Sequence, residues 1–250
     1  MKGRIKMSEK RKNDFLSFSA IFISVAILFS ISSIFYSSEA PRRILHPAEA
    51  KQNITVVIDA GHGGEDGGAC TYGGLPEKEL NLFIASELYD MLSFAGIDAV
   101  MTRTEDILLY DPNSDHKGHK KSMDLAERLK IAKSTPGAIL ISIHMNAFPE
   151  EKYCGLQVYY SSNSSQSSRL AELIQSNTKK WLTPSNNRNI KPAGKNIYLL
   201  DRFEGTAILI ECGFLSNTAE RDLLNSESYR TELAKVFFFS VIQYISEGGT

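Results

Sequence analysis

Three short apolar runs constrain this chain most. Residues 54–60 read "ITVVIDA", residues 138–144 "AILISIH" and residues 206–211 "TAILIE". Runs of this length, rich in β-branched residues, form buried strands. Segments with helical spacing lie between them. Pro76 opens "EKELNLFIASELYDMLSFAG", in which Leu80, Phe83, Ile84, Leu88 and Leu92 recur at helical intervals and Gly96 closes the pattern. "DLAERLKIAKS" and residues 169–182 also read as helices, and the stretch from "NTAERDLLN" to "YISE" reads as two, the second beginning near Ser226. "IDAVMTR", "GLQVYY" and "NIYLLD" supply further predicted strands, and "SSNSSQSS" a solvated loop. Strands that alternate with helices imply an α/β domain with a mostly parallel sheet of about six strands, flanked by helices.

In open sheets of this kind ligands bind beyond the carboxyl ends of the strands. All three apolar runs end in chemistry. The first runs into "GHGGEDGG", whose second residue is His62, the second ends on His144, and the third ends on Glu211. A lone strand-end histidine is ordinarily just a hydrogen-bonded residue; three such ends in one sheet are a pattern. A buried carboxylate such as Glu211 is costly without a partner, which a metal, a proton relay or a salt bridge would supply. Two imidazoles and a carboxylate suit zinc, and a hydrolytic zinc site needs three protein ligands and one open position. Glu77, Glu79, Glu65 and Asp66 are the carboxylates available as third ligand, and spacing does not choose among them. His46 falls in a stalk. His116 and His119 lie in the basic loop "DHKGHKK", where an intervening glycine and the lack of a carboxylate favour a solvated loop. Asn146 is read as fixing a loop or a histidine, and Cys212 as a small core residue.

The chain of 250 residues carries 28 basic and 29 acidic side chains, so no global field points to nucleic acid. Cys70, Cys154 and Cys212 are too few and scattered for a disulfide framework or a paired-cysteine zinc site, although one pair could form. Residues 1–14 are basic. Residues 15–36 form a charge-free run of 22 residues with six serines, longer than the usual signal-peptide core of about 7–15 residues. With positive charge retained on the cytoplasmic side, this predicts a transmembrane anchor or signal with everything beyond it exported. Residues 37–53 read as a linker and residues 54–250 as the catalytic domain.

"VVIDAGHGGEDGGA", "EKELNL", "ISIHMNA" and "ILIECGFLSN", in this order, resemble the signature segments of the zinc-dependent N-acetylmuramoyl-L-alanine amidases. The resemblance spans nearly the whole exported part. It implies that His62, Glu77 and His144 bind one zinc ion and that Glu211 is the catalytic carboxylate, and it selects Glu77 over Glu79. It implies hydrolysis of the amide between the muramic acid lactyl group and L-alanine in peptidoglycan. Arg103 and Arg128 also match and are read as structural. Ala60 and Thr206 depart from prolines frequent in the family, at backbone positions that frame the site. A membrane-anchored single domain without wall-binding repeats is most similar to the germination-specific amidases of endospore formers. That implies spore cortex as substrate, muramic-δ-lactam as the eventual product and a location between the forespore membranes; sequence leaves open whether the domain is active alone or needs an activating protein partner. The competing readings are a zinc peptidase acting within the stem peptide and a non-catalytic membrane-anchored wall-binding protein.

Overall fold

The computed structural model describes residues 54–70, 75–111, 113 and 117–249. The predicted basic segment, anchor and linker lie outside the described residues, as do His46 and His116. Among the described residues, no helix is long and apolar enough to cross a membrane.

Six strands form one sheet in the order β2-β1-β3-β6-β4-β5. They are β1 (Thr55–Ala60), β2 (Ala99–Met101), β3 (Ala138–Asn146), β4 (Gln157–Tyr160), β5 (Lys191–Pro192) and β6 (Ala207–Phe214). β2, β1, β3 and β6 run parallel, whereas β4 is antiparallel to β6. The central strands are mostly apolar because both faces are covered, with Asp59 and Ser142 buried among the apolar residues. Helices α1 (Glu77–Phe94), α3 (Ser165–Trp181) and α6 (Glu227–Ser246) pack on the face presented by Val56, Ile58, Ile141, Ile143 and Ile210. Helices α2 (Lys120–Ser134) and α4 (Tyr198–Arg202) cover Val57, Leu140, Ala207 and Leu209 on the other. Helix α5 (Thr218–Asn225) links β6 to α6. Cys212 is buried in the first of these cores, as its alternation on the strand predicts.

Three predicted elements are corrected. "NIYLLD" is not a strand: residues 198–202 form helix α4, and the sixth strand is Lys191–Pro192. Leu199 and Leu200 are both buried although consecutive, which a one-turn helix against α2 achieves and a half-buried strand does not. The serine-rich stretch is also not all loop. The Ser164 hydroxyl accepts from the Gln166 N–H at 3.3 Å and caps α3, which begins one turn earlier than its apolar stripe. Helix α2 likewise begins at Lys120, just after His119.

β1, β3 and β6 are neighbours and parallel, so their carboxyl ends meet. Ala60 pairs with Ile143, and His144 pairs with Glu211. A bulge follows His144 before Asn146 reaches Phe214. The Asn146 carbonyl accepts from Leu215 N–H at 2.8 Å and holds the loop after β6.

Candidate metal centre

His62 sits two residues beyond β1, with φ of +62°. A non-glycine residue in this left-handed region is strained and must be held from outside. Two arginines do so. Arg128 on α2 donates through Nη2 to the His62 carbonyl and through Nη1 to the Ala60 carbonyl, both at 2.7 Å. Arg103, just past β2, donates to the carbonyls of Ala60 at 2.8 Å, Gly61 at 3.0 Å and Lys78 at 2.8 Å. Both guanidiniums are buried and structural. Arg128 completes its fork on Asp59 and Asp124, each at 2.8 Å. Asp59 in turn accepts from Ser142 Oγ at 2.6 Å and Thr102 Oγ1 at 2.8 Å. Burial alone would raise the Asp59 carboxyl; Arg128 and Ser142 outweigh it and hold it at about 2.

Glu77 is the first residue of α1, with Pro76 as its cap. The loop and helix lock reciprocally: Glu77 N–H donates to Ala69 O at 3.0 Å, and Ala69 N–H donates to Glu77 Oε2 at 2.7 Å. Glu77 Oε1 lies 3.2 Å from His62 Nε2 and 3.0 Å from His144 Nδ1. It also accepts from Met145 N–H at 3.0 Å. Asn81, one turn along α1, spans Gly61 O and Glu77 Oε1 at 3.1 and 3.3 Å. Burial raises the Glu77 carboxyl, but the two imidazoles dominate and hold it far below the usual carboxylate range. Burial lowers the His62 imidazole and Glu77 and Asp66 more than reverse it, so its affinity for a proton rises. Asp66 Oδ2 approaches His62 Nδ1 at 3.0 Å, but out of line for a hydrogen bond.

The two imidazole rings meet edge to face with centroids 5.0 Å apart. One ligand atom from each of His62, Glu77 and His144 lies within 4.8 Å of the others, a group able to hold a metal ion. Two glycines make room for it. A Cβ on Gly61 would overlap the His144 ring. A Cβ on Gly68 would stand 2.5 Å from Glu77 Oε2, and its φ of +68° is itself a glycine conformation.

The other candidate carboxylates are not in the three-donor cluster, although Asp66 stands against the far nitrogen of His62. Glu79 is exposed. Glu65 is engaged by Lys120 at 2.6 Å, and Asp66 by Lys121 at 3.1 Å. His119 stands at the start of α2 and is not part of the cluster. Cys70 and Cys154 are exposed, and all three cysteines are free thiols.

Glu211 lies beside His144 in register. Its Oε2 is buried with no hydrogen-bond partner among the described residues. Burial first, then the charge of Glu77, raises this carboxyl to about 7 against the pull of His144 and His62. A carboxyl that titrates near neutrality beside a three-donor cradle can move protons at working pH.

Sequence reasoning did not find Asp59, Thr102 or Ser142, whose partners are far away in the chain, nor Asn81 and Asp124, which pair with Glu77 and Arg128 four positions away but also with distant backbone at Gly61 and Leu109. One supporting residue did have a local signal. Asn217 and Glu220 have capping spacing: Asn217 Oδ1 accepts from Glu220 N–H at 3.0 Å. The Glu220 carboxylate then holds Gly155 N–H at 2.7 Å and Phe214 N–H at 2.8 Å.

An α/β sheet with two imidazoles and a carboxylate converging at its carboxyl edge, before a buried carboxyl, defines a class: a protein with a preformed metal cradle and an acid–base group beside it. The comparisons are more particular. Residues 56–242 match the N-acetylmuramoyl-L-alanine amidase family (Amidase_3), and the chain belongs to that family. It is 31% identical over 240 residues to the germination-specific N-acetylmuramoyl-L-alanine amidase of Bacillus subtilis (strain 168), covering 96% of this chain and 98% of that one. Among solved structures it resembles the CwlD amidase from Clostridioides difficile in complex with the GerS lipoprotein, with a TM-score of 0.73 and 35% identity over 78% of this chain and 99% of that one. It also resembles an N-acetylmuramoyl-L-alanine amidase from Clostridium difficile 630, with a TM-score of 0.67 and 30% identity over 77% and 97% of the two chains. The activity is therefore that of an N-acetylmuramoyl-L-alanine amidase, a hydrolase of peptidoglycan.

Proposed function

We propose that this amidase is a single-zinc enzyme in which His62, Glu77 and His144 hold the ion, Glu211 is the general base, and spore-cortex peptidoglycan is the substrate. One observation carries the reading: three donor atoms within 4.8 Å stand beside a carboxylate whose buried oxygen lacks a partner. The donor chemistry fits zinc, with neutral imidazole and carboxylate on three sides. When bound, zinc supplies Lewis acidity, bringing the pKa of water from about 15.7 towards about 7 and polarising the scissile carbonyl.

Glu211 accepts a proton from the attacking water. It returns that proton to the alanine nitrogen as the C–N bond breaks, leaving a lactyl carboxylate and a free stem-peptide amine. Arg103, Arg128 and Asn81 fix the strained His62 segment, so the donors are positioned before substrate arrives.

The germination-specific relative, matched over nearly its whole length, supports the cortex setting. The basic segment and apolar run ahead of the domain support export to the outer face of the cytoplasmic membrane, anchored by residues 15–36 or released from them. The lipoprotein bound to the Clostridioides difficile relative supports a protein partner for this chain as well.

Two measurements test the proposal. Glu211→Ala abolishes hydrolysis and keeps the metal, whereas His144→Ala loses both; near-normal turnover by Glu211→Ala would reassign the base. Muropeptide mass spectrometry of spores lacking the gene shows loss of muramic-δ-lactam. Fragments cut within the stem peptide would instead indicate a peptidase.

A further inference from the structure

Beyond Glu211, on the side away from β3, one arginine is built into the same edge of the sheet. Gln157 of β4 is the register partner of Glu211 and is buried. Its side chain is fixed at both ends: Nε2 donates to the Asn189 carbonyl, and Oε1 accepts from Arg188 Nη1 at 3.0 Å. Arg188 Nε donates to the Cys154 carbonyl at 2.7 Å. The guanidinium carbon lies 4.6 Å from the centroid of Phe214, which stacks beneath it at the end of β6. Arg188 is thus fixed along one edge and across one face. Its Nη2 has no partner among the described residues, and no carboxylate there lies within ion-pair distance of it.

A half-buried guanidinium that is held rigidly, with Glu220 acting on it only at longer range and committed to the Gly155 and Phe214 amides, is prepared to accept an anion. Planar guanidinium edges match carboxylates, and little side-chain entropy remains to be lost on binding. Adjacent strands lie about 4.8 Å apart, so Arg188 is within one or two peptide residues of Glu211. The field of the site agrees. Tyr159, two residues along β4, is raised by burial and by the charge of Glu211 and lowered by Arg188, so all three groups share one electrostatic neighbourhood.

We propose that Arg188, positioned by Gln157 and Phe214, is a specificity residue that binds a carboxylate of the stem peptide, on the residue that follows the L-alanine at the scissile amide. This rests on the amidase reading and on Glu211 marking the reacting bond. In peptidoglycan that next residue is a glutamate whose carboxyl is either free or amidated, so the site discriminates between the two chemistries.

The test uses two disaccharide-tripeptides that differ only in bearing glutamate or isoglutamine as second residue. The full-length zinc-loaded protein cleaves the free acid with kcat/KM roughly tenfold above the amide, the size of one charge-assisted hydrogen bond. In Arg188→Met the ratio collapses towards one, and in Arg188→Lys it falls only partway. The ratio does not depend on the fraction of active protein, so a poorly folded variant does not mimic the result. A wild-type ratio near one, or a ratio unchanged in Arg188→Met, overturns the proposal. Calorimetric binding of the same pair to Glu211→Gln, with and without Arg188→Met, reads the preference without turnover. Preferential binding of the free acid with no release by the wild type would refute the amidase reading and leave the Arg188 site standing.

Discussion

Removing the Arg128 guanidinium while keeping its bulk, as Arg128→Met, tests the physical basis of the site. Arg128 is 1% exposed and its partner Asp59 is 1% exposed, so water cannot replace either. The pair contributes through Asp59: a carboxyl held at about 2, against an ordinary 3.8, stores roughly 2 kcal/mol in the folded state. The folded pKa is depressed, so this stability is present above about pH 4 and is lost as pH falls towards 2. Once Arg128 is gone, burial dominates and Asp59 rises above its unfolded value. The sign then reverses, and the variant gains stability as pH falls towards 4 while the wild type does not. Breaking a buried pair costs about 3–5 kcal/mol at pH 7, a large part of a total on the order of 5–15 kcal/mol. Urea unfolding at pH 7, 5 and 4 checks this: a gap of about that size at pH 7 narrows at acid pH. A gap below about 1 kcal/mol, or one that widens as pH falls, would refute the reasoning.

The remaining predictions concern the metal cradle and the base. Gly61→Ala has no backbone penalty from positive φ, so its effect is the overlap of the new methyl with the His144 ring. It lowers zinc affinity by about 10–100-fold, read by competition with a chelating dye, at a stability cost of about 1–3 kcal/mol; unchanged affinity would contradict the packing argument. Because Glu211 must be ionised to act as base, kcat/KM falls as pH drops through its pKa. Burial sets that near 7 and a neighbouring dication pulls it lower, so the acid limb has its midpoint at or below 7 and moves in Glu211→Asp. A midpoint clearly above 7, or a limb indifferent to Glu211→Asp, would assign it to another group.

The sequence alone determined the alternation of apolar strands with amphipathic helices, because period and length are local properties of the chain. It also placed His62, His144 and Glu211 at or near the carboxyl ends of strands and a helix start at Glu77 behind Pro76, although β3 runs on to Asn146 and β6 to Phe214, so His144 and Glu211 lie just inside their strands. The resemblance, not the spacing, preferred Glu77 to Glu79; the fold supplies the reason, since Glu77 is buried against both imidazoles and Glu79 is exposed. Residues 198–202 were misread because a short apolar run does not by its periodicity distinguish a strand from one helical turn, and only the burial of both leucines against α2 decides. The Asp59–Arg128 network was not legible because its members are 69 residues apart, and nothing local marks which aspartate an arginine will meet. Arg188 was silent for the same reason: it sits in an irregular stretch, and only the antiparallel pairing of β4 with β6 brings Gln157, and with it Arg188, alongside Glu211. Sequence placed chemistry at strand ends; the order of strands in the sheet made those ends one site.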